Sequence, residues 1–298
     1  MLRRILRGLN RRVARLDRLV GRRLTGADCP ATRAARSQLH ITRLRYRANI
    51  KPTSNPAFSL SFLENQGFLN LPDGYYKPDL VTEIGEQVSR VMQNKSLLRP
   101  SGKPNADGDY FSWIVRSAHA SVPAAERLLT PELKDYLEAH FRTHIHIPMV
   151  RVYRNLPVPA EHQGVKEYYA SRWHWDQRYL SMLKLFFLVH ETTVEHGPFH
   201  YHSVPTSSYV LQNGYHDRQN YDAAESVLED PARMGQFIGE PGKALLCNTA
   251  RCAHKAGKPA PGHTRDMVLL QILPSDKPLA RNWMELASRT KSLGDDYK

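Results

Sequence analysis

The sequence predicts a mainly β domain with flanking helices, on three observations. Residues 183–189, 242–248 and 267–273 are short runs rich in Leu, Val, Phe and Ile, of strand length and bounded by turn residues. Residues 76–94 and 124–141 instead carry apolar side chains at helical spacing: Leu80, Ile84, Val88, Val91 and Met92 in the first, Leu128, Leu129, Leu133, Leu137 and Phe141 in the second. Residues 144–154 alternate as a strand does.

Taken in order, the chain begins with charge. Of the formal net charge of +13 carried by the 298 residues, +12 lies in the first fifty, which hold fourteen Arg, no Lys and only Asp17 and Asp28 as acids. Residues 1–50 therefore read as a basic extension and residues 51–298 as the folded domain. Within residues 1–24 the apolar positions Leu2, Ile5, Leu6, Leu9, Val13, Leu16 and Val20 follow one helical face, with arginines around the rest. Such a helix can lie on an anionic membrane as a peripheral contact; packing on the domain and a mitochondrial targeting peptide are the competing readings. Arginines without interleaved aromatics give an electrostatic footprint, so no specific nucleic-acid partner is expected. Residues 25–56 read as a connector with one strand at 39–46. Beyond the two helices and a Gly/Pro/Asn/Asp loop at 101–109, the strand runs begin, with a turn at Glu195-His196-Gly197-Pro198-Phe199. Residues 209–236 form a polar interruption with a short helix over 223–228, a candidate lid or substrate-selecting element. The tail from residue 274 is polar, with one helix around 283–289.

Three cysteines, Cys29, Cys247 and Cys252, make no disulfide framework, and with no secretory signal a cytoplasmic location is expected. Cys247, Cys252 and His254 are close enough in sequence to form part of a zinc site, although the short Cys-x2-Cys spacing is missing.

The stretch that carries chemistry is Trp173-His174-Trp175-Asp176. His174 and Asp176, two residues apart, share a face if the backbone is extended, and His254 can join them if the sheet folds back. Two histidines and a carboxylate on one side of an ion leave the other positions open, as in non-haem Fe(II) oxygenases. His144/His146 and His200/His202 are competing pairs, but neither comes with a carboxylate of suitable spacing.

These residues resemble the phytanoyl-CoA dioxygenase family of Fe(II)/2-oxoglutarate oxygenases. His174 and Asp176, then Gly197-Pro198-Phe199, then His254 and Arg265 are similar to that family's pattern, best between residues 149 and 273, with a weaker match at 62–72. The chain departs from it at Pro205-Thr206-Ser207-Ser208, where the family has Pro-Gly-Ser-His. The resemblance implies a double-stranded β-helix (jelly roll, cupin-like) core over about 143–275. It implies Fe(II) held by His174, Asp176 and His254, with O2 as oxidant and 2-oxoglutarate as cosubstrate. The far carboxylate of 2-oxoglutarate would meet the permanently charged Arg265; Tyr153, Asn155 and Lys184 are secondary cosubstrate candidates. A carboxylate at Asp176 fits hydroxylation better than halogenation. The expected activity is hydroxylation of an unactivated carbon in a small-molecule, lipid-type or lipid-linked substrate, with 2-oxoglutarate converted to succinate. The alternative is a noncatalytic metal-binding jelly-roll module.

Overall fold

The apolar runs are strands buried on both faces. In the computed structural model, which describes residues 30–48, 58–162, 167–176, 181–215 and 224–289, ten strands form two antiparallel sheets. In chain order they are β1 (Phe68–Asn70), β2 (Leu98–Pro100), β3 (Ser112–Val115), β4 (His144–Asn155), β5 (Leu183–Leu188), β6 (Phe199–Tyr201), β7 (Gly235–Phe237), β8 (Ala244–Cys247), β9 (His254–Ala256) and β10 (Arg265–Ser275). The large sheet has the order β1-β8-β5-β10-β4-β3-β2 and the small one β7-β6-β9. An isolated antiparallel bridge between His174 and His254 extends the small sheet beyond β9. Two facing sheets of this kind are the double-stranded β-helix.

Alternation along each long strand divides the core in two. On β10, Val268, Leu270 and Ile272 face outward with Val150, Val152, Leu183, Leu185 and Phe187 against the helices. Met267 and Leu269 face inward with Met149, Phe186, Leu188, Phe199 and Tyr201 between the sheets. A strand that buries both faces reads as a continuous apolar run, which is why periodicity alone does not show which face holds the site.

The outer layer is helical. Helix α1 (Pro30–Ala48) occupies the region expected to contain a strand at 39–46. Its buried residues Ile41 and Leu44 are three apart, the spacing of a helix face, and Arg45 Nε donates to Phe141 O at 2.8 Å. Helix α2 (Leu60–Gln66) ends at Gly67, whose φ of 80° is left-handed. Helix α3 (Pro78–Met92) has Pro at its start, Asp79 in its first turn and Arg90 in its last, and buries Leu80, Ile84, Val88 and Val91. The single helix expected over 124–141 is broken into a 3-10 segment, Pro123–Leu128, and helix α5 (Pro131–Phe141), after the short α4 (Ala118–Ser121). Pro131 forces Thr130 into extended backbone (φ −64°, ψ 157°), and the Thr130 side chain caps the new helix by accepting from Leu133 N at 3.1 Å.

The Gly197-Pro198 turn is required by space. Gly197 has φ 61°, and a Cβ there would lie 2.3 Å from the Lys258 carbonyl carbon. The Pro205-Thr206-Ser207-Ser208 departure is part of helix α6 (Val204–Gln212), which Ser203 caps. Short helix α7 (Glu225–Leu228) falls within the expected 223–228. Helix α8 (Trp283–Arg289) returns Trp283, Met284 and Ala287 to the outer core. Residues 1–24, with the membrane, packing and targeting readings attached to them, lie outside the described residues, as does Cys29. Among the described residues no helix is long and apolar enough to cross a membrane.

Candidate active site

The Trp-His-Trp-Asp stretch alternates, and the two sides have different surroundings. Trp173 and Trp175 pack with Val210, Tyr215, Leu228 and Ala253 in a small core outside the small sheet. Trp173 Nε1 donates to Glu229 Oε1 at 2.9 Å, and Tyr215 Oη donates to Trp173 O at 2.6 Å. Lys255 binds the same Glu229 carboxylate at 2.6 and 2.8 Å and lies 4.8 Å from the centre of the Trp173 ring. His174 and Asp176 take the opposite side.

There the backbone sets the geometry. His174 and His254 exchange both N–H···O bonds at 3.0 Å, which brings their ring centres to 4.2 Å. Asp176 N donates to Thr249 O at 2.9 Å. Each imidazole Nδ1 meets the carbonyl two residues earlier, Arg172 O at 2.8 Å for His174 and Cys252 O at 3.0 Å for His254. A carbonyl only accepts, so both Nδ1 atoms carry the proton and each Nε2 has a lone pair for a metal. One ligand atom from each of His174, Asp176 and His254 lies within 4.8 Å of the others, and this is the one such group among the described residues. Burial would raise the Asp176 carboxyl, but Lys184, His254 and His174 outweigh it and hold the group well below the usual carboxylate range.

Arg265 opens β10 directly across from Asn155 of β4. It is 1 % exposed, and its Nε and Nη1 have no hydrogen-bond partner. Burial pulls its pKa down while nearby Tyr153 and Tyr169 oppose the shift. Tyr153 donates its hydroxyl to Met267 Sδ at 3.1 Å, and burial raises its pKa against the influence of Arg265 and Arg151. Asn155 is buried on the same face as Arg265. Lys184 is elsewhere: its Nζ is 2.6 Å from Asp176 Oδ2, so its ammonium serves the carboxylate. Tyr169 was not anticipated, because it lies in an irregular stretch with no period to read.

The competing groups are occupied otherwise. His202 has Nδ1 3.1 Å from Arg233 O and Nε2 3.0 Å from Leu228 O, in the outer small core. His200, opposite Lys255 in the register of β6 and β9, is pushed down to about 4 by burial, with Lys255 and Arg265 adding to it. His144 Nδ1 is 3.1 Å from Glu138 Oε1. Cys247 and Cys252 are free thiols buried between the sheets and take no part in the ligand group, so the alternative of a partial zinc site with His254 is not assembled among the described residues. The described part of the 209–236 interruption packs behind the ligand stretch, through Tyr215 and Leu228.

No family model matches the chain, and no curated protein matches it significantly in sequence. Solved structures do match in fold. The non-heme alpha ketoglutarate dependent carbocyclase SnoK from nogalamycin biosynthesis superposes with a TM-score of 0.54 at 15% identity, covering 76% of this chain and 87% of its own. EctD from S. alaskensis, with bound Fe, gives 0.53 at 18% identity, with 82% and 93% covered. HygX from Streptomyces hygroscopicus, with nickel, 2-oxoglutarate and hygromycin B bound, gives 0.50 at 15% identity, with 72% and 86% covered. At such identities the likeness establishes a shared fold, and function has to be argued from the site.

Proposed function

We propose that this chain is an Fe(II)/2-oxoglutarate-dependent oxygenase of the phytanoyl-CoA dioxygenase type, hydroxylating an unactivated carbon of a small molecule. The observation that carries the proposal is Arg265. A guanidinium 1 % exposed, with two nitrogens lacking partners, is costly unless an anion completes it. The donor set of His174, Asp176 and His254 suits Fe(II) and leaves positions for a chelating cosubstrate. The two fit one cosubstrate, a keto acid that chelates metal at one end and has a carboxylate at the other.

In this reading His174, Asp176 and His254 hold the iron and Arg265 the far carboxylate of 2-oxoglutarate, with Tyr153 and Asn155 beside it. The iron and cosubstrate, when bound, supply the oxidation of a C–H bond by O2, with release of succinate and CO2. The chain's own residues do the positioning. Arg172 O and Cys252 O set the imidazole tautomers, Lys184 orients Asp176 and balances its charge, and Phe186, Leu188, Phe199 and Met267 keep the interior dry. A peripheral membrane role for residues 1–24, and with it a lipid-linked substrate, rests on sequence alone; loss of liposome flotation on their removal would support it.

The test is anaerobic titration of the metal-free protein with Fe(II) and then 2-oxoglutarate, following the visible charge-transfer band. A band in the wild type that is lost in Asp176→Ala is the expected result. Iron bound to folded wild-type protein with no band would overturn the proposal and favour the noncatalytic metal-binding module.

A further inference from the structure

Outside the metal group, one cleft concentrates positive charge. The ladder of β3 and β4 runs from Ser112↔Asn155 to Ile114↔Tyr153 and stops there. Beyond it lies a small, partly open cleft whose described lining includes Arg99, Arg116, Arg151, Met149 and Ser288 and no Asp or Glu. Among the described residues, no carboxylate lies within ion-pair distance of Arg99 or Arg116, whereas Arg47, Arg127, Arg154 and Arg233 each have one. The chain beyond residue 50 is nearly neutral, since the first fifty residues hold +12 of the total +13. The three arginines are therefore a local concentration, brought together from separate strands and loops, and not part of a general basic surface.

Bringing like charges to one cleft costs energy that a bound anion offsets, and guanidinium forks match phosphate or carboxylate oxygens. The cleft is placed for a substrate. Arg151 and Tyr153 alternate onto one face of β4, and Asn155, two residues further, is opposite Arg265. Four residues along a strand span about 13 Å. That separates this cleft from the cosubstrate arginine while keeping both on the same wall of the interior.

We propose that the cleft lined by Arg99, Arg116 and Arg151 binds an anionic group, phosphate or carboxylate, of the organic substrate, so that the oxygenase acts on an anionic small molecule. This rests on the oxygenase reading above. The test is calorimetric titration of the full-length, Fe(II)- and 2-oxoglutarate-loaded protein under anaerobic conditions with inorganic pyrophosphate and, separately, with succinate. Wild type is compared with Arg99→Gln/Arg116→Gln, and both keep the N-terminal arginines, so the difference reports the cleft. The expected result is a loss of about tenfold or more in affinity for at least one probe, with the charge-transfer band unchanged. The probe that loses more identifies phosphate or carboxylate as the recognised group. Equal affinities in the two proteins would overturn the inference and leave the oxygenase reading intact. Loss of anion affinity in a wild type and variant pair that lacks the band would support the anion site and overturn the oxygenase reading.

Discussion

Arg265 and Asp266 are adjacent on β10, yet they face opposite sides of the sheet and have opposite electrostatic surroundings. On the outward side Asp266 is closed: Arg154 reaches it twice, at 2.6 and 2.7 Å, and His190 Nε2 lies 3.4 Å away. On the inward side Arg265 is open, with two guanidinium nitrogens lacking partners. Both are almost fully buried. The outward pair has what a structural ion pair needs, so removing one partner costs stability. The inward charge has no such completion, a cost that the proposed cosubstrate carboxylate would offset. A charge left open in a well-packed interior marks a binding site more specifically than its residue type does.

Removing each member should break that comparison in opposite directions. Arg265→Leu is expected to lower 2-oxoglutarate affinity by at least about 100-fold, read from the charge-transfer titration, while Fe(II) binding persists. Its melting temperature should stay level or rise, because an uncompensated buried charge is gone. A fall in melting temperature as large as that of Asp266→Asn would show that Arg265 is structural. Asp266→Asn is expected to destabilise by about 2 kcal/mol, discounted because Arg154 is partly exposed, and to leave the titration unchanged. Burial alone would raise the Asp266 carboxyl, but its bonds to Arg154 and His190 prevail and hold its folded pKa below the ordinary value. Its contribution is therefore full above about pH 4 and is lost as the pH falls below that value towards the folded pKa. Thermal melts of wild type and Asp266→Asn should converge at that acid end and diverge above it.

Lys184 sharpens the contrast, since on the inward side it forms a closed pair with Asp176. Lys184→Met should reduce Fe(II) affinity by about tenfold, the usual order for a group that orients a ligand, with 2-oxoglutarate affinity for the iron-loaded protein nearly unchanged. Equal losses of both would make Lys184 a cosubstrate residue, the secondary role its sequence position suggests.

Much of this contrast was legible before the fold was known. The shared face of His174 and Asp176 is legible because alternation needs only two residues, whereas Arg265 is singled out by the family resemblance and its role stays a proposal. A strand is expected at 39–46, where a helix at 30–48 stands instead, because Leu39, Ile41, Leu44 and Tyr46 satisfy period two in part, while the core that buries Ile41 is built from distant elements. The break at Thr130–Pro131 interrupts an apolar period that continues through it. Pairing of Phe68 with Cys247, and the meeting of Arg99, Arg116 and Arg151, joins residues from separate strands and loops, and no local pattern encodes such proximity.

The smallest expected effect concerns the outward side of the ligand stretch itself. Trp173→Phe keeps a ring in the small outer core but removes the Nε1 bond to Glu229. Glu229 retains Lys255 as a partner, so the loss is one hydrogen bond and part of a cation–π contact, about 1 kcal/mol. If the outward network only stabilises the fold, melting temperature should fall slightly and Fe(II) affinity should stay constant. If it also fixes His174, whose backbone is continuous with Trp173, Fe(II) affinity should fall at temperatures well below the melt, where the fold is intact. The closed outward side would then be setting the position of the inward ligands, and the two sides of the strand would be one device.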